Sequence, residues 1–263
     1  MAMWAMSERI IIVGAGLAGL AVAAELGSNA EVELVERLPA VGGTWGFEAP
    51  AVRDLVRRCT AVGVRMTIGV TALRWIHGRL LLLGPGIRCW RQADHLFFAG
   101  GTRPATPAEL PVHGARVAGV FSGTVAHHLL EAQITLGRRV AVCGGGFWAD
   151  LAFAELAPGT HTTAVGGDHA PGGAASVWHG YAPVEVRGHA RVEQLVIECE
   201  GQRRTIDCDC VVLAGDQRPL RNVDGAIAHA PDVTYVQLCA DRVTPTSVID
   251  NAVVVAGRHG RNI

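Results

Sequence analysis

The chain has 263 residues, 49% hydrophobic and 18% charged, enough for one large domain or two modest ones with filled cores. A formal net charge of −1 gives no electrostatic basis for binding nucleic acid or an anionic membrane, so neither is expected as a partner. All 23 basic residues are arginine, which excludes lysine-based catalysis.

Near the N-terminus, RIIIV (Arg9–Val13) is a β-branched run suited to a strand buried on both faces. GAGLAG follows at once and places Gly14, Gly16 and Gly19 in the pattern G-x-G-x-x-G, with Ala15, Leu17 and Ala18 between them. LAVAAEL then reads as a helix closed by Gly27. In such a unit the first glycine permits the tight turn and the second lets a pyrophosphate approach the backbone. The third lets helix and strand pack closely, and the helix N-terminus faces the anion. The uncharged run Ile10–Ala24 imitates the core of a signal peptide. It is too short to span a bilayer, and its glycines stand where a strand turns into a helix, so a soluble protein is expected.

The second strand, EVELVER, ends in Glu36 and Arg37. An acid 22 residues after Gly14 accepts hydrogen bonds from ribose hydroxyls and repels a 2′-phosphate. Strand, glycines, helix, strand and acid together predict a dinucleotide site.

The second half repeats the first. An offset of 130 residues lays Arg9 on Arg139, Gly14 on Gly144, Gly16 on Gly146 and Glu25-Leu26 on Glu155-Leu156, with Ala149 in the third glycine's place. An offset of 115 lays AGGTRP (Ala99–Pro104) on AGDQRP (Ala214–Pro219). The period is that of a whole domain, so two Rossmann-like domains are expected. The position equivalent to Glu36 falls near Gly166, which offers neither an acid for NAD nor an arginine for NADP. Phe147 and Trp148 are bulky for a turn that admits a pyrophosphate. Gly144, Gly146 and Ala149 are the candidate contacts if NAD(P) binds here, and Asp168 is a possible substitute acid.

The seven cysteines, Cys59, Cys89, Cys143, Cys199, Cys208, Cys210 and Cys239, are scattered and never spaced C-x-x-C. Structural thiols in a cytoplasmic protein are expected. RRTIDCDCVVLAG alternates like one strand with Cys208 and Cys210 on one face, and two thiolates do not complete a metal site. No metal is expected. His127 and His128 lie in a helix-like context and read as surface or packing residues.

Several segments carry a resemblance. VGGTWG (Val41–Gly46) resembles the loop after the ribose acid in FAD-binding proteins of the two-dinucleotide-binding-domain flavoprotein superfamily, the pyridine nucleotide-disulfide oxidoreductase-like proteins. GVRMTIGVTALRW resembles that superfamily's strand beside the adenine, near Ala72, and DHLFFAGGTRPATP resembles its ATG segment as Ala99-Gly100-Gly101. The resemblance implies FAD contacts at Gly43, Thr44, Trp45, Ala72, Ala99, Gly100 and Gly101 besides those of the turn. The tail NAVVVAGRHGRNI resembles the late FAD motif, a β-run ending in Gly-Asp, with Gly257-Arg258 instead. On that reading Arg258 faces a phosphate, and the helix that follows the motif in the superfamily has no room in the chain.

AELPVHGARVAGVFSGTVAHHLLE, the segment after it, and CDCVVLAGDQRPLRNVDGAI resemble one branch: the FAD subunit of heteromeric amino-acid dehydrogenases, opine oxidases and hydrogen cyanide synthase. That resemblance implies an FAD-dependent oxidoreductase acting on a small molecule, with a second flavoprotein or an iron–sulfur subunit as partner. Two alternatives stay open, a stand-alone NAD(P)H-dependent flavin reductase and a non-catalytic nucleotide-binding scaffold. GGTWGFEAP has no cysteine and Cys143 stands alone, which excludes the superfamily's dithiol mechanism. The linker signature of flavin monooxygenases is absent, and no catalytic acid or base is nominated. The expected fold is α/β: an FAD-binding domain at 1–107 plus 244–263, with an NAD(P)-binding-like domain inserted at 108–243.

Overall fold

A computed structural model describes residues 7–114, 117–167, 174–215, 217–220, 227, 230–236 and 243–260. The chain divides into two compact units. The first comprises the described residues of Met1–Thr102, Pro219–Leu238 and Thr244–Ile263, and the second those of Arg103–Arg218 and Cys239–Val243.

In the first unit, β1 (Arg9–Val13) is followed by α1 (Leu17–Leu26), β2 (Glu31–Glu36), α2 (Pro50–Ala61) and β3 (Arg65–Ile68). A three-stranded antiparallel meander, β4 (Thr71–Ile76), β5 (Arg79–Gly84) and β6 (Ile87–Gln92), precedes β7 (His95–Phe98). The chain passes through β8 (Thr102–Pro104) into the second unit.

There β9 (His113–Gly114) and β10 (Val120–Ser122) lead into α3 (Gly123–Glu131), β11 (Arg139–Cys143), α4 (Phe147–Glu155), β12 (His161–Val165) and β13 (Ser176–Trp178). A second meander, β14 (Ala182–Gly188), β15 (Val192–Cys199) and β16 (Gln202–Asp207), is followed by β17 (Cys210–Leu213) and β18 (Gln217–Pro219). The chain then returns to the first unit with β19 (Val233–Tyr235) and α5 (Pro245–His259).

The two central sheets have the same plan. The order is β19-β7-β1-β2-β3 in the first and β10-β17-β11-β12-β13 in the second, all parallel. The expected doubled α/β fold is present, down to single bonds. The Gly14 N–H donates to Val35 O and the Gly144 N–H to Val165 O, each at 2.8 Å. Asp94 and Asp209 each take the N–H that opens the central strand, from Arg9 at 2.8 Å and Arg139 at 2.9 Å. One strand differs in chain order: the edge strand is β19, at the end, in the first unit and β10, at the start, in the second.

Core composition follows from layer. The centre of β1 (Ile10–Ile12) and most of α1 are buried, because α1 lies over the sheet and packs against α2 and α5. α2 is amphipathic, burying Val52, Leu55 and Cys59 at i, i+3 and i+7 while its arginines face solvent. Burial of the Cys59 thiol pushes its pKa up to about 11.

Four sequence expectations are corrected. Pro219–Leu238 belongs with the first unit rather than the inserted one, because β19 pairs with β7. GVRMTIGVTALRW is two strands, β3 of the parallel sheet and β4 of the meander, parted at Gly69-Val70. RRTIDCDCVVLAG is likewise split between β16 and β17, and Cys208 and Cys210 enter different core clusters. The tail is a helix. Thr244 and Ser247 form a reciprocal capping box with Pro245 at the first helical position, and Ala252 and Ala256 are buried at i and i+4. α5 packs on α1, so tertiary contact overrides the strand preference of Val253–Val255. Gly257 and Arg258 are therefore residues of α5, with Arg258 exposed, and neither forms a phosphate-facing turn.

Candidate functional site

In an open parallel sheet, ligands bind beyond the carboxyl ends of the strands, where the winding direction reverses. In the first unit that point lies between β1 and β7. Gly14 follows β1 with φ +104°, and a Cβ there would overlap the carbonyl of Ala99, which follows β7. The Ala99 N–H donates to Val13 O at 2.8 Å. A Cβ at Gly19 would overlap the Gly14 carbonyl. Both absences of a side chain are thus required by the protein's own backbone.

Gly16 is different. It caps α1 with φ −76°, a conformation any residue adopts, and no atom lies within 4 Å of where its Cβ would be. The space its missing side chain leaves is open. Beyond it, the amides of Leu17, Ala18 and Gly19 precede the first intrahelical bond, from the Leu20 N–H to Gly16 O at 3.0 Å. The first turn of α1 carries no acid. The side chains of Ala15 and Leu17 are buried in the core, so these residues offer a ligand only backbone.

Glu36, 7% exposed, reaches the same turn. One carboxylate oxygen accepts the Ala15 N–H at 2.7 Å and the other the Leu38 N–H at 2.8 Å. Each oxygen has a second lone pair, so two acceptor positions remain for hydroxyl donors. Arg37 beside it is exposed. The loop after Val41 closes over the turn: the Gly42 N–H donates to Ala15 O at 2.7 Å, and Gly43, Thr44 and Trp45 form a short 3₁₀ helix. A Cβ on Gly43 would stand 3.3 Å from the Gly16 Cα. Trp45 is partly buried against the first core cluster. Gly100 packs under the Phe98 ring, and Gly101 has open space about its Cα. Ala72 is buried in the second core cluster on β4. Thus the turn, Glu36, the GG loop and Ala99-Gly100 converge, while Ala72 is a packing residue and Gly257 and Arg258 belong to a helix.

The second unit presents the same point between β11 and β17. A Cβ on Gly144 would overlap Gly215, and the Ala214 N–H donates to Cys143 O at 2.8 Å. Three features separate it from the first site. Gly166 has no side chain to match Glu36. The backbone of Gly167 approaches the turn, so that a Cβ on Gly145 would meet the Gly167 Cα at 3.1 Å. Asp150 lies in the first turn of α4, where a negative charge opposes an anion. Trp148 is not the obstruction its bulk suggests: it is 2% exposed, turned into the core with Ala149. A cavity of about 290 Å³ opens beside the turn, lined by Cys143, Gly144, Val165, Gly166, Tyr181 and Gly215 among others; among the described residues no charged side chain lines it. Asp168 lies outside the described residues.

Among the described residues every cysteine is free, with no disulfide between any two. Cys143, Cys208 and Cys210 are buried, and burial pushes Cys208 and Cys210 up to about 12 and Cys143 higher still. Cys239 lies outside the described residues.

Residues 12–65 match the family of NAD(P)-binding Rossmann-like domains. No curated protein sequence matches the chain. Among solved structures it is similar to a pyridine nucleotide-disulfide family oxidoreductase from Enterococcus faecalis V583, with TM-score 0.67 and 17% identity over 95% of this chain and 68% of that one. It is similar to L-proline dehydrogenase from P. horikoshii, with TM-score 0.66 and 18% identity over 97% of this chain and 56% of that one. It is also similar to Lactococcus lactis thioredoxin reductase, with TM-score 0.66 and 14% identity over 97% and 98%. The chain thus spans nearly the whole length of the thioredoxin reductase and little more than half of the proline dehydrogenase. The likeness establishes a two-domain Rossmann-type fold. Among the described residues no helix is long and apolar enough to cross a membrane.

Sequence reasoning missed the helix at the tail. Thr244-Pro245 with Ser247 three residues after the cap, a helix start, was the available signal.

Proposed function

We propose that the chain is an FAD-dependent oxidoreductase whose cofactor's ADP half lies on the turn between β1 and α1. The observation that carries this reading is the open space at Gly16 beside a buried carboxylate with acceptor positions to spare. Gly14 and Gly19 lack side chains for the protein's sake, whereas Gly16 lacks one for the sake of something that approaches it.

The residues present fit such a group. Gly16 and the first amides of α1 hold the diphosphate, and Glu36 takes the ribose hydroxyls and disfavours a 2′-phosphate. Gly43, Thr44, Gly100 and Gly101 border the cofactor's path, with Trp45 bracing the loop. The flavin, when bound, supplies the two-electron redox chemistry; the chain supplies orientation and electrostatics. Among the described cysteines, Cys59, Cys143, Cys208 and Cys210 are buried, which disfavours the thiolate a dithiol relay needs. Electrons therefore pass between the flavin and a small molecule or another protein.

Within that class we read the chain as the flavoprotein subunit of a heteromeric dehydrogenase or oxidase acting on an amino acid, opine or similar amine. The segment likenesses at 108–131 and 208–227 and the overall likeness to a proline dehydrogenase support this. Gly166 in place of an acid and Asp150 in the first turn of α4 weigh against a stand-alone NAD(P)H reductase. The scaffold reading rested on Arg258 in the tail and a missing final helix, and the tail's folding as α5, with Arg258 inside it, weakens both grounds.

The test is the absorbance spectrum of the purified chain with and without added FAD, followed by anaerobic NADH and NADPH. Flavin bands that persist through gel filtration and ignore both nucleotides are expected. A chain that takes up no FAD overturns the flavoprotein reading, and rapid bleaching by either nucleotide overturns the partner-dependent one.

A further inference from the structure

Away from the nucleotide turn, α3 and α4 bring together two imidazoles and two carboxylates that the flavoprotein reading does not use. His127 is buried, with 6% of its side chain exposed, and its Nδ1 lies 2.8 and 3.0 Å from the two Glu155 carboxylate oxygens. That short contact places a proton on Nδ1, which donates to Glu155, and leaves Nε2 as the nitrogen a cation can take. Nε2 points at Glu131, whose Oε2 is 3.4 Å away. The same oxygen is 3.3 Å from Nδ1 of His128. One ligand atom from each of His127, His128 and Glu131 can be chosen so that all lie within 4.8 Å of one another.

The distances separate two kinds of contact. A charge-assisted N–H···O⁻ bond runs at about 2.7–2.9 Å, as His127 to Glu155 does. The separations of 3.3 and 3.4 Å are long for such bonds. They match the edge of a tetrahedron around a cation with ligand bonds of about 2.0–2.1 Å, which is close to 3.3 Å. With those two nitrogens deprotonated, their lone pairs and the Glu131 oxygen face a common point that a cation can occupy. The carboxylate–imidazole pair behind them is the support that a metal-bound histidine ordinarily has, with its far nitrogen hydrogen-bonded to an acid.

We propose that His127 Nε2, His128 and Glu131 bind a borderline divalent cation of the zinc class, with Glu155 as the positioning residue for His127. Two imidazoles and one carboxylate select zinc, nickel, cobalt or copper over magnesium or calcium, which prefer oxygen throughout. The fourth position faces solvent, since His128 and Glu131 are 68% and 54% exposed, so water completes the shell. The spacing i, i+1, i+4 places all three ligands on one stretch of α3, and Glu155 makes the cation tie α3 to α4. Glu155 ends α4, eight residues beyond Phe147 at its start, or about 12 Å along the helix axis. The cation is therefore a staple on the helix layer of the second unit. Sequence spacing alone gives no sign of it, because His-His-x-x-Glu is short and its fourth group comes from another helix.

The test titrates the full chain with Co²⁺ and then displaces it with Zn²⁺. One equivalent giving a visible ligand-field spectrum with no thiolate charge-transfer band is expected, displaced by Zn²⁺. His128→Ala and Glu131→Gln, both exposed positions, weaken binding at least tenfold with an unchanged circular dichroism spectrum. Glu155→Gln, which keeps an acceptor for Nδ1–H, lowers affinity about tenfold. The ligand-field bands keep their shape, a combination that loss of structure does not produce. Three results overturn the proposal: no binding by the unaltered chain, a thiolate band that moves the metal to cysteine, or affinity undiminished in both ligand variants.

Discussion

Replacing Gly16 and Gly19 by alanine, one at a time, separates a glycine that serves a ligand from one that serves the fold. At Gly16 the φ of −76° suits alanine, and the new methyl meets no atom within 4 Å. Its cost is that of alanine for glycine at a helix N-cap, about 0.5–1 kcal/mol, or a fall in Tm of roughly 1–4 °C for a unit of this size. At Gly19 the methyl overlaps the Gly14 carbonyl, a backbone atom with no rotamer by which to escape. Overpacking of that kind costs about 1–3 kcal/mol or more. The order reverses for FAD. The Gly16 methyl occupies the approach to the α1 amides, and losing one hydrogen bond to a charged group costs about 1.5–3 kcal/mol. Gly16→Ala should therefore bind FAD about 10- to 150-fold more weakly while melting within a few degrees of the parent. Thermal denaturation of the apo chain and flavin fluorescence titration measure both quantities. Unchanged FAD affinity in Gly16→Ala, or an apo Tm as low as that of Gly19→Ala, would refute the reasoning.

Glu36→Ala leaves the Ala15 and Leu38 amides without their acceptor. It should lower stability by about 1–3 kcal/mol in urea titrations even without FAD, whereas a purely ligand-directed acid would leave the apo protein unchanged. His95 stacks on His259 and shares a hydrogen bond with Thr234, and burial, with His259 adding and Asp232 opposing, pushes its pKa down from 6.5 to about 4. The unfolded chain therefore binds more protons between those values. Stability is full above pH 6.5 and falls by about 3 kcal/mol as pH drops to 4; an equal slope in His95→Phe would exclude this assignment. Thiol titration of the native chain should modify Cys89 and Cys199 before Cys59, Cys143, Cys208 or Cys210, whose burial disfavours the thiolate. Early labelling of Cys143 at the cavity wall would contradict the packing.

The first strand, turn, helix and acid were legible because each is local and each is required twice over, by pattern and by backbone geometry. The duplication was legible for the same reason, since Gly144 and Ala214-Gly215 repeat constraints that Gly14 and Ala99-Gly100 already explain. What failed was non-local. Val253-Val254-Val255 favours a strand by propensity, and only contact with α1 through Ala252 and Ala256 makes it a helix. That error turned a capped helix into a β-run ending at Gly257-Arg258. Trp148 reads as an obstruction on a phosphate turn until its indole is seen in the core. The strand error at Cys208-Asp209 came from a run whose alternation continues across a change of sheet, which periodicity does not register, and the one at Gly69-Val70 came from reading a resemblance as one strand. The His127 cluster was invisible because its supporting carboxylate, Glu155, is 28 residues away on another helix.

The two units also show what a glycine signature tests. Gly14 and Gly144 have nearly the same φ, +104° and +106°, and each is pressed by the strand exit beside it. An alanine at either strains the fold whether or not a nucleotide ever binds. The first glycine of G-x-G-x-x-G therefore reports a sharp turn between adjacent parallel strands, and a second copy carries it for the same mechanical reason. Binding is decided elsewhere. At Gly16 the space is open and the helix start is free of acid; at the second turn Gly167 approaches from the neighbouring strand's end and Asp150 enters the first helical turn. Glu36 supplies a carboxylate to the first turn's own amide, and Gly166 supplies none. One missing side chain thus removes from the second turn the acceptor that the first presents beside Gly16, while both units keep the same Rossmann frame.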